Sequence, residues 1–463
     1  MVKAASPGKL AFCFLFPLVV YYLAPEAHPK MPLFFALTAW AVSVWATEIL
    51  PPIPVAASLT FLYVLCKVAP PQVVFAPWAS FLPWMCLAAL VVGEALEHSG
   101  LTKRLALRMM LLVGASFNRM VIALMLTGMI MAFLLPDIMC RVIIFVAIAH
   151  GLVQALEVNP RSRLSSAIMM AGFCAATSPG YGYLTGTEMS LIASSIMVKI
   201  TGSPLVWMDY FIANFPFNVF YCAVSICMIL FVIRGKERLH NEAQLSLTLS
   251  AKLAEMGPMT TLEWKVLGVL VLGIGGILTE KIHGMPGTFV YALVGMFCYL
   301  PFLNISKPEG VRHLNVSFII FIVACLGIGA TAQSLGAEKW VAKQLVPFLE
   351  TLSPNMTVIA TFCTSVGLKF MLTPLAAVST FTGSIIEIAT ALNMNPQPLV
   401  YAFLVGLDQY IFPYEYALLL YTFTTGAITA VHLMQGLALR IIITGIGIAC
   451  IQLPYWTFLG ILN

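Results

Sequence analysis

Asp137 and Arg141 stand four residues apart in the apolar run AFLLPDIMCRVII, far from any loop. A charge buried in hydrocarbon is costly unless it is paired, hydrated or used. Two kinds of chemistry fit this spacing. Asp137 and Arg141 can brace one another as an i,i+4 pair. Alternatively, Arg141 offers its fork of donors to an anion while Asp137 orients it or carries a proton. A second set of residues lies in AATSPGYGYLTGTEMSLI (175–192). Here Pro179, Gly180, Gly182 and Gly186 should interrupt a helix, and an interruption frees amides and carbonyls able to hold ions. Thr177, Ser178, Gly180 and Thr187 are candidate substrate contacts there, with Glu188 and Ser190 as candidates for a coupling ion. A third set, LDQYIFPYEYALLL, repeats the theme with Asp408, Pro413 and Glu415. Other charges point less clearly to chemistry: Glu48 and Glu280 precede prolines, and Glu94, Lys369 and Glu387 suggest packing partners. His150 and His432 read as core histidines.

These residues need a membrane to make sense. The chain has 463 residues, of which 60% are hydrophobic and 9% charged, and its mean hydropathy is +0.96. Soluble domains carry about 25% charged residues. Soluble, disordered and nucleic-acid-binding classes are therefore excluded, and the net charge of +5 reports topology. The 11 cysteines form no CxxC pair or zinc-spaced cluster, and no Walker loop, His-Glu-x-x-His or Gly-x-Ser-x-Gly motif occurs. The apolar run after MVKAASPGKL reads as a first transmembrane helix, because Tyr21, Tyr22, Pro25 and His28 occupy the place of a signal cleavage site.

The expected fold is an all-α polytopic membrane protein. Spans are expected at 10–24, 31–50, 53–69, 76–97, 164–200, 211–233, 263–280, 286–303, 315–336, 396–430 and 436–460. Two stretches, 118–157 and 355–391, are too long for one helix. Basic residues flank the first on both sides (Lys103, Arg104, Arg108 and Arg119; Arg161 and Arg163), so it should enter and return as a hairpin.

A polar linker at 234–262 divides the chain. On either side of it, Thr47-Glu48 with Pro54 recurs as Thr279-Glu280 with Pro286. Gly100, Lys103 and Ala106 recur as Gly336, Lys339 and Ala342, and ALEVNP (155–160) recurs as ALNMNP (391–396). The organisation read from this is an N-terminal helix (1–30), a first repeat (31–233), the linker and a second repeat (263–463). The first repeat contains hairpin 118–157 and broken helix 164–200; the second contains hairpin 355–391 and broken helix 396–430. With Lys3 and Lys9 cytoplasmic, the span ending at Glu48 runs inward and the span ending at Glu280 runs outward. Inverted repeats with broken helices are an architecture of secondary transporters. The second hairpin tip, KFMLTPLAAVSTF, places Thr373 opposite Asp137 and Ala377 opposite Arg141, so it is uncharged and rich in hydroxyls.

WATEILPPIPVAASL (45–59), ALEHSGLTKRLALRMM (95–110) and the stretch 180–192 resemble segments of the divalent anion:sodium symporters, which carry di- and tricarboxylates or sulfate. The resemblance runs over nearly the whole chain. It implies an elevator transporter in the plasma or inner membrane, built as a homodimer with 11 spans and two re-entrant hairpins. The family's hairpin tips each carry Ser-Asn-Thr. This sequence has Asp137, Ile138 and Met139 at the first and Thr373, Pro374 and Leu375 at the second, while the family's Pro-Pro-Asn falls on Glu188, Met189 and Ser190. Arg141 is then expected to recognise the anion, with sodium ions or protons as coupling ions and protons carried on Asp137, Glu188, Asp408 or Glu415. No other cofactor is expected. The alternatives are a membrane subunit served by a binding protein, a cation/proton antiporter, and, in another class, a channel or non-transporting receptor.

Overall fold

The computed structural model describes residues 7–24, 28–47, 49–50, 52–79, 82–114, 116–135, 138–160, 162–203, 205–235, 242–285, 287–306, 316–369, 372, 374–411 and 416–462. Asp137, Thr373, Pro413, Glu415 and Glu48 lie outside them.

The described residues form helices in the order α1 (Pro7–Leu23), α2 (Met31–Thr47), α3 (Pro52–Leu65), α4 (Pro71–Val74), α5 (Leu82–Ser99) and α6 (Leu101–Val113). The first hairpin follows as α7 (Phe117–Leu134) and α8 (Ile138–Ala155), then α9 (Arg163–Thr177), α10 (Glu188–Thr201) and α11 (Trp207–Cys227). The linker carries α12 (Glu242–Glu255). Beyond it lie α13 (Thr261–Leu278), α14 (Glu280–His283), α15 (Gly287–Phe297), α16 (Val316–Leu335), α17 (Ala337–Leu349), α18 (Pro354–Lys369), α19 (Pro374–Ala391), α20 (Pro396–Leu407), α21 (Ala417–Thr424), α22 (Ala430–Gly447) and α23 (Leu453–Phe458). Five of the described helical stretches are long and apolar enough to cross a membrane: Phe117–Leu134, Ile138–Ala155, Trp207–Ile233, Pro374–Ala391 and Val431–Phe458.

Some boundaries differ from the sequence reading. Residues 76–79 form a separate 3₁₀ turn, so the span expected from 76 starts at Leu82. The helix expected to continue to 430 stops at Thr424, where Gly426 (φ +73°) turns the chain before α22 begins. The linker is partly helical, and its end is set by a capping box in which Thr260 and Glu263 exchange bonds at the start of α13.

Two helix pairs keep one offset across the linker. α6 and α17 differ by 236 residues at both ends, and so do α8 and α19. Gly100 and Gly336 begin α6 and α17 with φ of +76° and +70°. Outside glycine the left-handed region is disfavoured, and the four described residues that adopt it fall into matching pairs: Lys67 with Asn304, and Glu157 with Asn393. The last pair sits inside ALEVNP and ALNMNP.

Glycine sets the approach of the hairpin arms to the helices beside them. A Cβ on Gly128 of α7 would overlap the Ala175 carbonyl oxygen of α9, and one on Gly406 of α20 would overlap Ser365 of α18. Small residues at such contacts let apolar helices pack closely where lipid supplies no hydrophobic drive. Gly128→Val is therefore expected to lower stability by about 1–3 kcal/mol by forcing α7 and α9 apart. Thermal unfolding in detergent would show this, and an unchanged midpoint would mean the contact is looser than described.

Apolar side chains gather in two cores. Among the described residues, one joins α1–α3 to a face of α16, the start of α17 and Ala376 of the second hairpin; the other contains the hairpins, α5, α6, α9–α11, α13, α15, another part of α16, α20 and α22. Linker helix α12 rests on α6, and Lys252 Nζ donates to the Gly151 carbonyl at 3.1 Å. Burial, aided by the nearby Lys103 cation and opposed by Glu255, holds the Lys252 pKa below the usual lysine range.

Candidate functional site

α9 ends at Thr177 because Pro179 and the glycines after it cannot extend the hydrogen-bond ladder. Two 3₁₀ turns follow, 178–182 and 184–186, before Thr187 caps α10 by accepting from the Ser190 amide at 3.1 Å. The segment is compact as well as irregular. Thr177, Ser178, Thr187 and Ser190 are fully buried. Their hydroxyls are engaged: Thr177 with the Phe173 carbonyl, Ser178 with Ser225, and Thr187 with Ser190. Gly180 faces the Gly186 carbonyl so closely that a Cβ would stand 2.7 Å from it.

Two charged side chains tie the first hairpin tip to this break. Arg141, 1% exposed, donates from Nη1 to the Leu135 carbonyl at 2.6 Å, from Nε to that of Ala176 at 3.0 Å and from Nη2 to that of Gly186 at 2.8 Å. The tip, the end of α9 and the chain before α10 therefore share one guanidinium. Glu188 accepts from the Ile138 amide at 2.9 Å, placing a carboxylate at the N-terminus of α8, where the helix dipole favours it. Leu135 and Ile138, on either side of the tip, are thus held at the break between α9 and α10. Asp137 lies outside the described residues, so its expected i,i+4 partnership with Arg141 does too.

The second break gathers around Asp408, at the C-terminal end of α20. Its Oδ2 accepts from the Tyr221 hydroxyl at 2.6 Å, and Gln409 Nε2 donates to the same hydroxyl at 3.1 Å. Arg440 of α22 donates from Nη2 to the Asp408 main-chain carbonyl at 3.0 Å and lies between the rings of Tyr221 and Tyr410, 5.1 and 5.0 Å from their centroids. Lys369, at the end of α18, is 2% exposed and faces the Tyr416 ring at 5.4 Å. Among the described residues, Arg440 Nε and Nη1, the Tyr410 hydroxyl and Gln409 Oε1 are buried with no hydrogen-bond partner.

The two breaks meet. Phe173 of α9 packs edge-on against Tyr410 and Tyr416, with centroids 5.8 and 6.5 Å apart. One face of α11 serves both: Asn218 donates to the Pro179 carbonyl, Tyr221 to Asp408, and Ser225 bonds Ser178. Spacings of three and four residues put these three side chains in one row. Sequence reasoning named Arg141, Glu188 and Asp408 but missed Arg440, Tyr221, Asn218 and Gln409. Arg440 was visible as a lone charge in an apolar stretch, and the row on α11 as polar residues at helical spacing. His150 bonds Gln154, and His432 bonds Ser166, both half-buried and away from the breaks.

Tyr221→Phe removes a donor from a buried carboxylate and an acceptor from Gln409. A bond to a charged group contributes about 1.5–3 kcal/mol. A loss of that size corresponds to about a tenfold or greater fall in transport, readable as uptake per folded protein; wild-type uptake would show that the hydroxyl contributes nothing there.

The sodium:sulfate symporter transmembrane region family matches residues 8–462. A citrate/succinate antiporter of Escherichia coli strain K12 is 23% identical over 292 residues, covering 61% of this chain and 59% of that protein. The chain therefore spans less than two thirds of that relative. The L-tartrate/succinate antiporter of the same strain is 25% identical over 338 residues, 70% of this chain and 67% of its own length. The crystal structure of the Alcanivorax borkumensis YdaH transporter aligns over 98% of this chain and 99% of its own with a TM-score of 0.57 and 14% identity, a likeness of fold alone. With its two interrupted helices and a family match over nearly its whole length, the chain belongs to the sodium:sulfate symporter transmembrane region family.

Proposed function

We propose that the protein is a secondary active transporter of a small multivalent anion, with a di- or tricarboxylate as substrate ahead of sulfate or an organosulfonate. The observation that carries this reading is the meeting of two interrupted helices, one from each half, around buried cationic side chains: Arg141, Arg440 and Lys369. Broken helices that meet inside a bundle supply free helix ends and backbone groups for a ligand bound alternately from either side. Relatives named for citrate/succinate and tartrate/succinate antiport support a carboxylate cargo and exchange as the mode.

An elevator motion would carry the hairpins and broken helices as a body against α1–α3, which share an apolar core of their own with α16. In this reading the protein is a multi-pass homodimer of the inner or plasma membrane with a cytoplasmic N-terminus. Asp137, Thr373 and Pro413 would contact substrate beside Thr177, Ser178, Gly180 and Thr187. Glu188, Ser190, Asp408 and Glu415 are the groups through which a sodium ion or proton would be coupled.

The test is counterflow in proteoliposomes. Vesicles loaded with unlabelled succinate are expected to accumulate external labelled succinate transiently above equilibrium, with citrate, tartrate and sulfate as competitors. Simple equilibration without overshoot would indicate a channel, and no movement of any of these anions would end the reading.

A further inference from the structure

Linker helix α12, hairpin arm α8, the end of α5 and the start of α6 surround a cavity of about 380 Å³, and none of its walls comes from the two breaks. Its long wall is α8, from Ile143 to Gly151. Eight steps of 1.5 Å make that wall about 12 Å long. Ile143, Ile144 and Ile148, with Leu107 of α6 opposite, make it apolar. Ala147 on the same wall is exposed, so the trough opens to the surface. Such a surface suits a hydrocarbon chain better than a hydrated solute.

The end at Gly151 has another character. Lys252 Nζ donates to the Gly151 carbonyl at 3.1 Å, and Lys103 is close enough to add to the effect of burial on the Lys252 ammonium. The first turn of α6 is here too, because Gly100, Thr102 and Lys103 all line the cavity. Gly100 stands at the cap position and offers that turn no side chain, while the helix dipole places partial positive charge there. Thr102 is 2% exposed, and among the described residues its hydroxyl has no hydrogen-bond partner. A buried hydroxyl left so is uncommon, and an incoming oxygen would complete it. Glu97 is the one carboxylate among the lining residues and is exposed; Glu255, near Lys252, is not part of the wall. Positive charge and an unused hydroxyl thus mark one end of an apolar trough. That polarity matches an anion carrying a hydrocarbon tail.

We propose that this cavity is a lipid site, which holds the phosphate head of an anionic membrane phospholipid on Lys103, Lys252 and the first turn of α6, and one acyl chain along α8. A lipid seated there touches α6, the linker helix and the first hairpin together, and so ties the linker to the hairpin arm.

The test titrates purified, delipidated protein in detergent with dioleoylphosphatidylglycerol and with dioleoylphosphatidylcholine. Native mass spectrometry counts the lipid retained, and thermal unfolding follows its effect. One phosphatidylglycerol per chain is expected to remain, held about tenfold more tightly than phosphatidylcholine, as two lysines near an anionic head warrant. Equal retention of the two lipids would mean ordinary boundary lipid and overturn the proposal. Lys103→Gln combined with Lys252→Gln should abolish the preference. Ala147→Trp keeps both lysines and fills the trough from an exposed position, so it should release the lipid as well. Wild-type binding by the glutamine pair would show that the head lies elsewhere, and wild-type binding by the tryptophan variant that the chain does; either result overturns the site. Inorganic phosphate at millimolar concentration separates the two sources of the head chemistry. It should raise the midpoint far less than the lipid, and an equal rise would make this a free-anion site instead. None of these readouts needs transport, so the lipid site and the anion-transport reading stand or fall separately.

Discussion

Glu263→Gln is expected to destabilise the protein by about 3–5 kcal/mol, the usual consequence of leaving a buried charge without its partner. Arg104 of α6 and Glu263 of α13 are 159 positions apart, yet they form a two-pronged ion pair at 2.5 and 3.1 Å with both side chains buried. Arg104 also donates to the carbonyls of Gly257, Met256 and Pro258, and Glu263 accepts from the Thr260 amide. One guanidinium therefore gathers the end of the linker, the cap of α13 and the helix that leads into the first hairpin. Glutamine at 263 preserves shape but removes the charge that makes this gathering favourable. The thermal midpoint in detergent should fall by many degrees. Arg104→Met together with Glu263→Met should recover part of the loss, because an apolar pair leaves no orphaned charge. If the single and double variants were equally stable, the pair would contribute nothing beyond its packing.

What the sequence disclosed, and what it withheld, follows from the range of each interaction. The helix ends that match across the linker were legible because they are written in local signals. ALEVNP and ALNMNP end their helices with the same left-handed residue, Glu157 and Asn393, and Gly100 and Gly336 open theirs in the same way. The breaks were legible for the same reason, since Pro179 and the glycines around it act on their own neighbours. Arg141 stood out by its depth alone, but its partners did not. Two of its three carbonyls, Ala176 and Gly186, lie 35 and 45 residues away, and a carbonyl has no sequence signature. Tyr221 and Asp408 are separated by 187 positions, so their bond exists only once α11 is laid across both breaks. Arg440 was missed for a different reason. It lies in neither a hairpin nor an interruption, and it matters because α22 returns to the end of α20.

Arg141→Gln is expected to reduce transport at least a hundredfold and to remove stabilisation by an anionic substrate. The guanidinium commits donors to three buried carbonyls from three pieces of chain, and an unsatisfied buried group costs about 1–3 kcal/mol. Glutamine is too short and has too few donors to replace them, so the tip, the end of α9 and the turn before α10 lose their common tie. A ligand site assembled from these segments needs them held to within about 0.5 Å. Arg141→Lys separates geometry from charge. Lysine keeps the cation as a compact point without the planar fork, so if positioning dominates, its transport should resemble that of the glutamine variant despite the retained charge. If the field of the cation on the anion dominates, lysine should restore most of the affinity. Substrate-dependent shifts in thermal midpoint measure affinity without transport, and comparing the two variants by that readout assigns the role. A glutamine variant with wild-type affinity and wild-type uptake would remove Arg141 from the site altogether.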